Sequence, residues 1–429
     1  MKYNTTWIKK DLLDRFLRYV RIDTTSNRDI EDIPSTPGQW DLLNLLKQEL
    51  LDFGIEDVSL DSHGYLIARL PARYDETHGD KPRPADSAPS IGLMAHVDTA
   101  SDVSGKDVNP QVHENYQGGD IEIGEGYVLK TGENPMLEEC VGDTLITADG
   151  RTLLGADDKA GVAEIMTALK WLTEQPELEH GPLEIIFTPD EETGKGMNLF
   201  PVDVLNSKCC YTFDGGERAT IEGECFNGYA AKITCTGNVV HLGIARGRLV
   251  NAVTMASQFV NLLPRNESPE TTDGRYGYFA PLEIKGDFEK AELSVYLRDF
   301  ESEGMERRLS VLEEIAAAVE AVFPGGKVQV ESRKQYANMR DHIAKEPLIM
   351  ELLEKAISET GLEPERRIIR GGTDGARLSE MGIPTPNVFT GGYNFHSRLE
   401  WASLDTMADS VRTAVNLILL WGQQTEGRI

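Results

Sequence analysis

Apolar residues follow two different spacings along the first half of the chain. They recur every three or four positions in residues 7–21 and 37–53, which predicts two amphipathic helices. They also form short continuous runs that predict buried strands at 91–95, 183–187 and 209–213. A further helical stripe starts at residue 162. Strands that alternate with helices predict an α/β fold, a sheet flanked by helices.

A different pattern begins near residue 221. Two alternating runs, typical of half-exposed strands, and two helical stripes lie in this part, at 229–235, 293–298, 251–263 and 305–322. The α/β pattern returns from about residue 336. We therefore expect one α/β domain, residues 1–222 and 337–429, with an α+β domain, residues 223–336, inserted into it.

Residue types that bind metals stand at or just after the ends of the predicted strands. The stretch Gly-Ala-Asp157-Asp158-Lys precedes a helix, and alone such an acidic pair is usually turn and cap chemistry. Four other stretches place such residue types at strand ends: His96-Val-Asp98, Asp190-Glu191-Glu192, Asp214-Gly-Gly and Gly-Tyr-Asn-Phe-His396. Two histidines and three carboxylates can hold two zinc ions that share one bridging carboxylate, which we place at Asp157.

Two of these stretches also offer groups that assist a metal. Asp98 lies two residues after His96, so both side chains point to the same side of an extended chain and the carboxylate can orient the imidazole. Hydrolysis by an activated water also needs a general base. Of two adjacent carboxylates, one can bind metal while the other takes the proton. Glu191 with Glu192 and Asp190 with Glu191 both fit this division, and the residues alone do not choose between them.

Composition narrows the functional classes. The chain has 429 residues, with 43 Lys and Arg against 71 Asp and Glu, and its net charge of −28 disfavours nucleic acid and anionic membranes as partners. Its five cysteines include no C-x-x-C pair, and no apolar run approaches the ~20 residues of a membrane span. The first residues lack the apolar core of a signal peptide, so we expect a cytoplasmic protein. The motifs G-x-x-x-x-G-K-[ST], G-x-S-x-G and H-E-x-x-H are absent.

Six longer stretches identify a family. They are Pro-Ser-Thr-Pro-Gly-Gln-Trp (34–40), His-Val-Asp-Thr (96–99), Leu-Ile-Thr-Ala-Asp-Gly-Arg-Thr-Leu-Leu-Gly-Ala-Asp-Asp-Lys-Ala-Gly (145–161), Phe-Thr-Pro-Asp-Glu-Glu (187–192), Arg-Gly-Gly-Thr-Asp-Gly-Ala (370–376) and Phe-Thr-Gly-Gly-Tyr-Asn-Phe-His (389–396). Together they resemble the co-catalytic zinc peptidases of the M20 type nearly end to end, and among these the bacterial tripeptide aminopeptidases. The resemblance implies a zinc-peptidase-type sheet, two Zn²⁺ ions per subunit and release of the N-terminal residue from tripeptides.

The resemblance assigns a role to each candidate residue. The implied metal ligands are His96 and Asp214 for one ion, Glu192 and His396 for the other, and Asp157 as the bridge. Glu191 is implied as the general base, and Asp98 as the residue that orients His96. In the family the peptide that follows the bridging aspartate is usually cis, so we expect a cis bond between Asp157 and Asp158.

The resemblance also implies that the inserted domain is a lid that joins two subunits into a homodimer. Asn251, Arg298 and Arg370 are implied to grip the carboxylate end of the substrate. His241 is implied to reach the partner subunit's active site and to donate a hydrogen bond to the attacked carbonyl. The family usually has a proline after this histidine, whereas this chain has Leu242, so we expect a less rigid loop.

Two other functions fit the same metal ligands. An M20 deacylase or dipeptidase would keep the metals and differ in its pocket, and assays with free and N-acylated peptides would separate it from an aminopeptidase. A metal-binding protein without catalysis would not need Glu191, whose presence argues against this class.

Overall fold

The computed structural model describes residues 3–74 and 87–425. The sequence of 74–90, which is polar and rich in proline and charge, predicts a surface excursion, and most of this stretch lies outside the described residues. The elements of the first part are α1 (Thr5–Tyr19), α2 (Pro37–Asp52), β1 (Asp57–Leu60), β2 (Leu66–Leu70), β3 (Ile91–His96), β4 (Gln111–His113), β5 (Ile121–Gly124), β6 (Tyr127–Leu129), α3 (Met136–Glu139), β7 (Leu145–Thr147), α4 (Ala156–Thr173), β8 (Leu183–Thr188), β9 (Cys209–Gly215) and β10 (Thr220–Cys225). The middle part contains β11 (Asn227–Thr236), α5 (Ala252–Leu262), β12 (Tyr278–Gly286), β13 (Lys290–Asp299), α6 (Ser302–Val322) and β14 (Lys327–Tyr336). The last part contains α7 (Arg340–Ile343), α8 (Leu348–Ser358), β15 (Glu365–Ile369), α9 (Asp374–Glu380), β16 (Asn387–Phe389), β17 (Gly392–Tyr393), β18 (Trp401–Ser403) and α10 (Leu404–Gly422).

Eight strands form one sheet in the order β1-β2-β8-β3-β9-β16-β10-β15. The four central strands β8, β3, β9 and β16 run parallel, and β2 and β10 join them as antiparallel neighbours. β3 and β8 are buried at every residue. Strands covered on both faces have no solvent side, which is why their sequences are continuously apolar. The predicted α/β class, a sheet flanked by helices, is confirmed.

Helices cover both faces of this sheet. On one face, α4 packs on β3 and β9 and against α1 and α10. A Cβ atom at Gly161 of α4 would lie 1.8 Å from the carbonyl oxygen of Phe213 in β9, so only glycine permits this close approach. On the other face, Leu378 of α9 packs with Met94 and Ile186. The close contact at Gly161 holds the N-terminal end of α4, which carries Asp157, against the sheet.

A second compact unit contains an antiparallel sheet of order β12-β13-β11-β14 with α5 and α6. Its core is formed by both helices and one face of the sheet, including Phe259 of α5, Leu312 of α6 and Ile233 of β11. The outer strand β12 has a mostly exposed sequence that the pattern analysis did not identify as a strand.

The two units divide the chain close to the predicted domain boundaries. The second unit comprises Glu224–Asn338 together with Ile368–Gly372, and the first comprises Met1–Gly223, Met339–Arg367 and Thr373–Ile429. The predicted insertion, 223–336, differs by one residue at its start and two at its end. The sequence did not reveal that 368–372 belongs with the second unit. Arg370 accounts for this, because its guanidinium donates hydrogen bonds to the carbonyl oxygens of Thr272, Gly274 and Tyr276.

The stretch 102–142, which had no predicted role, contains small elements. β4 joins β7, β18 and β17 in a four-stranded sheet, and β5 and β6 form a hairpin. None of the helices in the described ranges is long and apolar enough to cross a membrane.

Candidate metal centre

The four parallel strands in the middle of the large sheet end at the same edge, and each leads to a candidate ligand. His96 is the last residue of β3, and Asp214 lies at the end of β9. Glu191 and Glu192 begin the short turn after β8, and His396 follows β16 and β17. Because the carboxyl ends of parallel strands meet at one edge, residues far apart in sequence converge here.

Asp157 lies between the two histidines. It stands at the start of α4, just after Gly155, which has a left-handed backbone conformation (φ 84°). Its Oδ1 lies 3.0 Å from Nε2 of His96, and its Oδ2 lies 3.2 Å from Nε2 of His396. The peptide bond from Asp157 to Asp158 is cis, as expected. Each oxygen of this carboxylate thus faces a different imidazole.

The other two predicted ligands pair with one histidine each. Nε2 of His96 lies 3.6 Å from Oδ1 of Asp214, and Nε2 of His396 lies 2.9 Å from Oε1 of Glu192. The donor atoms of His96, Asp157 and Glu192 lie within 4.8 Å of one another, and so do those of His96, Asp158 and Asp214. Imidazole nitrogens and carboxylate oxygens at such spacing form a donor set suited to zinc. The residues present therefore fit a pair of cations with Asp157 between them.

Neighbouring carboxylates support His96. Nδ1 of His96 lies 3.3 Å from Oδ1 of Asp98, the arrangement expected for an orienting residue. The Asp98 carboxylate also accepts hydrogen bonds from the backbone N–H groups of Glu191 (3.0 Å) and Glu192 (3.2 Å). Asp158 accepts a hydrogen bond from the backbone N–H of His96 at 3.1 Å. Asp98 thereby connects the end of β3 to the turn after β8.

The three acidic residues after β8 occupy different environments. Asp190 is fully buried, and its carboxylate accepts hydrogen bonds from Ser35 and Gln39. Glu191 and Glu192 form the turn that follows, and Glu192 faces His396. Since the Asp190 carboxylate is already engaged, the geometry favours the pair Glu191 and Glu192, which the resemblance implied, over the pair Asp190 and Glu191.

Burial raises the pKa values of several acidic groups at this centre. It raises the pKa of Glu192 to about 7, with Asp157 adding to the increase and His396 opposing it. Burial also raises the pKa of Glu191 and that of Asp214. Hydrogen bonds to Asp157 and then Glu192 raise the pKa of His396 to about 11. A group of buried carboxylates that draws protons in this way favours bound positive charge, which metal ions would supply.

Besides Asp158, two further buried acidic residues at the centre were not among the predicted site residues. Glu400 accepts hydrogen bonds from the backbone N–H groups of Leu154 (2.8 Å), Gly155 (2.8 Å) and Asp157 (3.1 Å), and so holds the loop that carries the bridge. Asp374, at the start of α9, accepts a hydrogen bond from the Thr188 hydroxyl at 2.6 Å. Glu400 is 243 residues from Asp157 in sequence, so no local spacing links them, whereas Asp374 lies in a glycine-rich turn that already resembled the family.

The sequence of this chain matches a known peptidase family. The model of the peptidase family M20/M25/M40 matches residues 147–420, which is more than half of the chain. The chain belongs to this family. Peptidase T of Geobacillus thermodenitrificans is 44% identical to it over 420 residues, covering 97% of this chain and 100% of the relative. The predicted family is therefore confirmed, and the chain is a metallopeptidase.

Solved structures agree with this M20 fold. Aminopeptidase PepT from Bacillus cereus is similar with a TM-score of 0.73 and 21% identity, covering 97% of this chain and 99% of that one. A tripeptidase from Staphylococcus aureus has a TM-score of 0.76 and 18% identity, with the same coverage. At these identities the structures show the fold alone.

In this M20 peptidase, Arg298 lies in the second unit and is buried. Its guanidinium lies over the rings of Tyr296 and Tyr336, 4.9 Å and 5.2 Å from their centroids. Nη1 donates hydrogen bonds to the carbonyl oxygen of Tyr229 (3.2 Å) and to Oε1 of Gln335 (3.0 Å). These contacts hold the guanidinium in one orientation, and its role in gripping substrate stays a prediction.

Arg370 and Asn251 also make structural contacts within the second unit. Arg370 uses Nη1 and Nη2 to bind the 272–276 loop, and its guanidinium lies 5.1 Å from the ring centroid of Phe226. Oδ1 of Asn251 accepts a hydrogen bond from the backbone N–H of Val253 at 2.9 Å, which caps the N-terminus of α5. For both residues the predicted contact with substrate is an additional role that stays a prediction.

His241 is exposed, in a turn closed by its own side chain. Nδ1 of His241 accepts a hydrogen bond from the backbone N–H of Gly243 at 3.1 Å. Because Nδ1 accepts, a neutral imidazole carries its proton on Nε2 and can donate it elsewhere. The turn Leu242–Ile244 stands where the family usually has the proline. A side-chain hydrogen bond thus shapes this loop, and the expected loss of rigidity stays a prediction.

Proposed function

We propose that this protein is an aminopeptidase that releases the N-terminal residue from tripeptides, using two zinc ions held by His96, Asp157, Glu192, Asp214 and His396. The observation that carries the proposal is the position of Asp157, whose two oxygens each face one imidazole, at 3.0 Å and 3.2 Å. A carboxylate in this position suits a bridge between two cations. The 44% identical Peptidase T supports the substrate class.

The chain's own residues account for the transfer of the proton. When bound, a zinc pair would polarise the scissile carbonyl and lower the pKa of the attacking water. The Glu191 carboxylate accepts a proton from this water while the water oxygen bonds to the carbonyl carbon. The same carboxyl group then gives the proton to the leaving amine nitrogen as the C–N bond breaks. Asp98 positions this group, because it accepts the backbone N–H of Glu191.

Hydrolysis of tri-alanine tests this function. The purified protein is treated with a chelator, dialysed, and assayed with added zinc or cobalt for release of free alanine and di-alanine. Activity that disappears on chelation and returns with metal supports the proposal. Absence of hydrolysis at any metal concentration would leave a non-catalytic metal-binding protein as the better explanation.

Substrate length gives a second criterion. A site that binds a free amine at one end and a carboxylate at the other, the latter held by Asn251, Arg298 and Arg370, selects the distance between them. A substrate of the wrong length leaves a buried group unpaired, which costs about 1–3 kcal/mol. Tri-alanine should therefore be cleaved faster than di-alanine, tetra-alanine and N-acetyl-tri-alanine. Equal rates for the N-acetyl peptide would identify a deacylase instead.

The proposal includes a homodimer in which the partner subunit's His241 donates Nε2–H to the oxygen of the attacked carbonyl. Removing one such donor typically lowers turnover by ~10²–10³-fold. Variants His241→Ala and Glu191→Gln are prepared separately and refolded together. About half of the resulting dimers are mixed, and each has one intact site, so about one quarter of wild-type activity should return. No recovery, with mixed dimers demonstrated, would exclude His241 acting across the dimer.

The five cysteines are free and buried, as is typical of proteins in reducing compartments. We place the enzyme in the cytoplasm on this ground, and fractionation of cells that express a tagged chain would test it.

A further inference from the structure

The N-terminal segment 24–39, here called the brace, contacts the loop that follows His96. The backbone N–H of Ser26 donates a hydrogen bond to the carbonyl oxygen of Thr99 at 3.1 Å, and the Ser26 hydroxyl donates to the same oxygen at 3.3 Å. The backbone N–H of Thr99 donates in turn to the carbonyl oxygen of Thr24 at 3.3 Å. Thr99 directly follows Asp98, so the brace fixes the backbone next to the orienting carboxylate.

The same brace binds Asp190, which precedes the two glutamates. Oδ2 of Asp190 accepts a hydrogen bond from the backbone N–H of Ser35 at 2.7 Å, and Oδ1 accepts one from Nε2 of Gln39 at 2.9 Å. The Ser35 hydroxyl also donates to Oδ1. The amide oxygen of Gln39 accepts a hydrogen bond of 3.1 Å from the backbone N–H of Asp190. Gln39 and Asp190 are both fully buried, so Gln39 holds the side chain and the backbone of Asp190 together.

Asp190 determines the direction of the chain into the Glu191–Glu192 turn. It has a left-handed backbone conformation, with φ 57°, that non-glycine residues seldom adopt. Such a conformation persists where surrounding contacts hold it. On the far side of this turn, Nζ of Lys195 donates hydrogen bonds to the carbonyl oxygens of Arg28 (3.1 Å) and Ile30 (2.7 Å) of the brace. The brace therefore holds the turn at both of its ends.

We propose that the brace is a positioning element of the metal centre, in which the Gln39–Asp190 pair aims Glu191 at the attacking water and Glu192 at its metal ion. The proposal rests on the function proposed above. Gln39, Ser35 and Asp190 are positioning residues, because their side chains contact one another and act on the reaction only through the turn. These contacts give a structural explanation for the Pro-Ser-Thr-Pro-Gly-Gln stretch, which resembled the family in sequence.

Gln39→Glu tests the pair by exchanging a single heavy atom. It replaces the Nε2 donor by an oxygen facing Oδ1 of Asp190, so that two carboxylates repel each other. Loss of a residue that supports a metal site typically lowers activity or metal affinity by ~10–100-fold. We expect kcat to fall by that factor with KM nearly unchanged, and the metal content after dialysis to fall below two ions per chain.

A compensating change makes this test specific. In the double variant Gln39→Glu with Asp190→Asn, the amide of residue 190 can donate to the carboxylate of residue 39, which reverses the original hydrogen bond. Most of the lost kcat and metal content should return. Gln48→Glu is the matched control, because Gln48 donates from Nε2 to Oδ1 of Asp52 on the same helix, also at 2.9 Å but exposed to solvent. This control should keep parental kcat and metal content.

The outcomes separate this proposal from the function it rests on. A parent enzyme that does not cleave tripeptides refutes the function, while metal retention by the variants still tests the brace. An active parent with unchanged kcat and metal content in Gln39→Glu refutes the brace, and so does a double variant that remains as impaired as the single one. If Gln39→Glu fails to fold by circular dichroism, Ser35→Ala replaces it. That variant removes one hydroxyl donor and should lower kcat at constant KM, and parental kcat would refute the proposal.

Discussion

His96 and His396 face the same carboxylate, Asp157, from the two halves of the centre, and the two histidines differ in burial and in the support of their neighbouring aspartates. The His96 side chain is 2% exposed, ends a central strand, and lies beside Asp98, which is fully buried. The His396 side chain is 38% exposed and lies in a loop where Nδ1 is 3.5 Å from Oδ2 of Asp102, itself 52% exposed. We call His96, Asp98 and Asp214 the buried half, and Glu192, His396 and Asp102 the open half.

This difference indicates that the two halves have different roles in binding metal and substrate. A ligand on a central strand is fixed by the hydrogen bonds of the sheet, so the buried half is formed before any ion binds. A ligand on a loop with an exposed partner can move more easily and admits water and substrate. We therefore expect the buried half to retain its ion and the open half to exchange its ion and receive the peptide.

Asp157→Asn should have the largest effect, because it removes the charge that joins the two halves. A neutral amide is a poor bridge between two cations, so both ions should be lost on desalting, and hydrolysis should fall to background. Elemental analysis measures the ions per chain. Asp61→Asn is the matched control: Asp61 lies in the turn between β1 and β2 and accepts hydrogen bonds from the backbone N–H groups of His63 and Tyr65, which an amide oxygen can still do, so both ions should stay bound. Retention of two ions per chain by Asp157→Asn would show that Asp157 is not the bridging ligand.

Glu191→Gln should separate catalysis from metal binding in both halves. The amide keeps the shape of the side chain but cannot accept the proton, and loss of a general base commonly lowers turnover by ~10²–10⁴-fold. Metal analysis should show two ions per chain, as in the parent. Turnover within a few-fold of the parent would show that another group is the base.

Removal of metal by a chelator should resolve the two halves in time. The ion of the open half should leave first and that of the buried half later, which gives two phases in the release of metal. His396→Ala assigns the phases, since this variant should bind one ion and show only the slow phase. A single phase in the parent protein would show that the two halves are equivalent, contrary to the comparison.

The sequence predicted the strands of the large sheet more completely than those of the second unit. Strands such as β3 and β8 are covered on both faces, so their composition alone marks them, and ligands at their ends are easy to locate. β12 was missed because it is an edge strand that contains Pro281 and has mostly exposed residues, so its sequence lacks the alternation of a half-buried strand. The α/β class and the M20 family were both predicted from the sequence and are confirmed.

Roles that depend on distant partners could not be predicted from local patterns. Glu400 supports the Asp157 loop through three backbone N–H groups, and no spacing in the sequence indicates that contact. Arg370 was predicted from the resemblance to bind substrate, but its hydrogen bonds to the 272–276 loop required the structure. In both cases the contacting residues are far apart in the sequence and become neighbours only in the folded protein.

Asp102→Asn should have the smallest effect and gives the finest test of the comparison. A metal-bound histidine usually donates its second N–H to a carboxylate, carbonyl or water, and Asp102 lies where it could accept from Nδ1 of His396. Replacing the charged acceptor by a neutral amide should weaken the ion of the open half by about 10-fold, at the low end of such effects. The fast phase of metal release should therefore become about 10-fold faster while the slow phase is unchanged. Asp107→Asn makes the same change of charge at an exposed position of the same β3–β4 loop and should alter neither phase. If Asp102→Asn changes the slow phase instead, the two halves share their support, and the distinction between them is wrong.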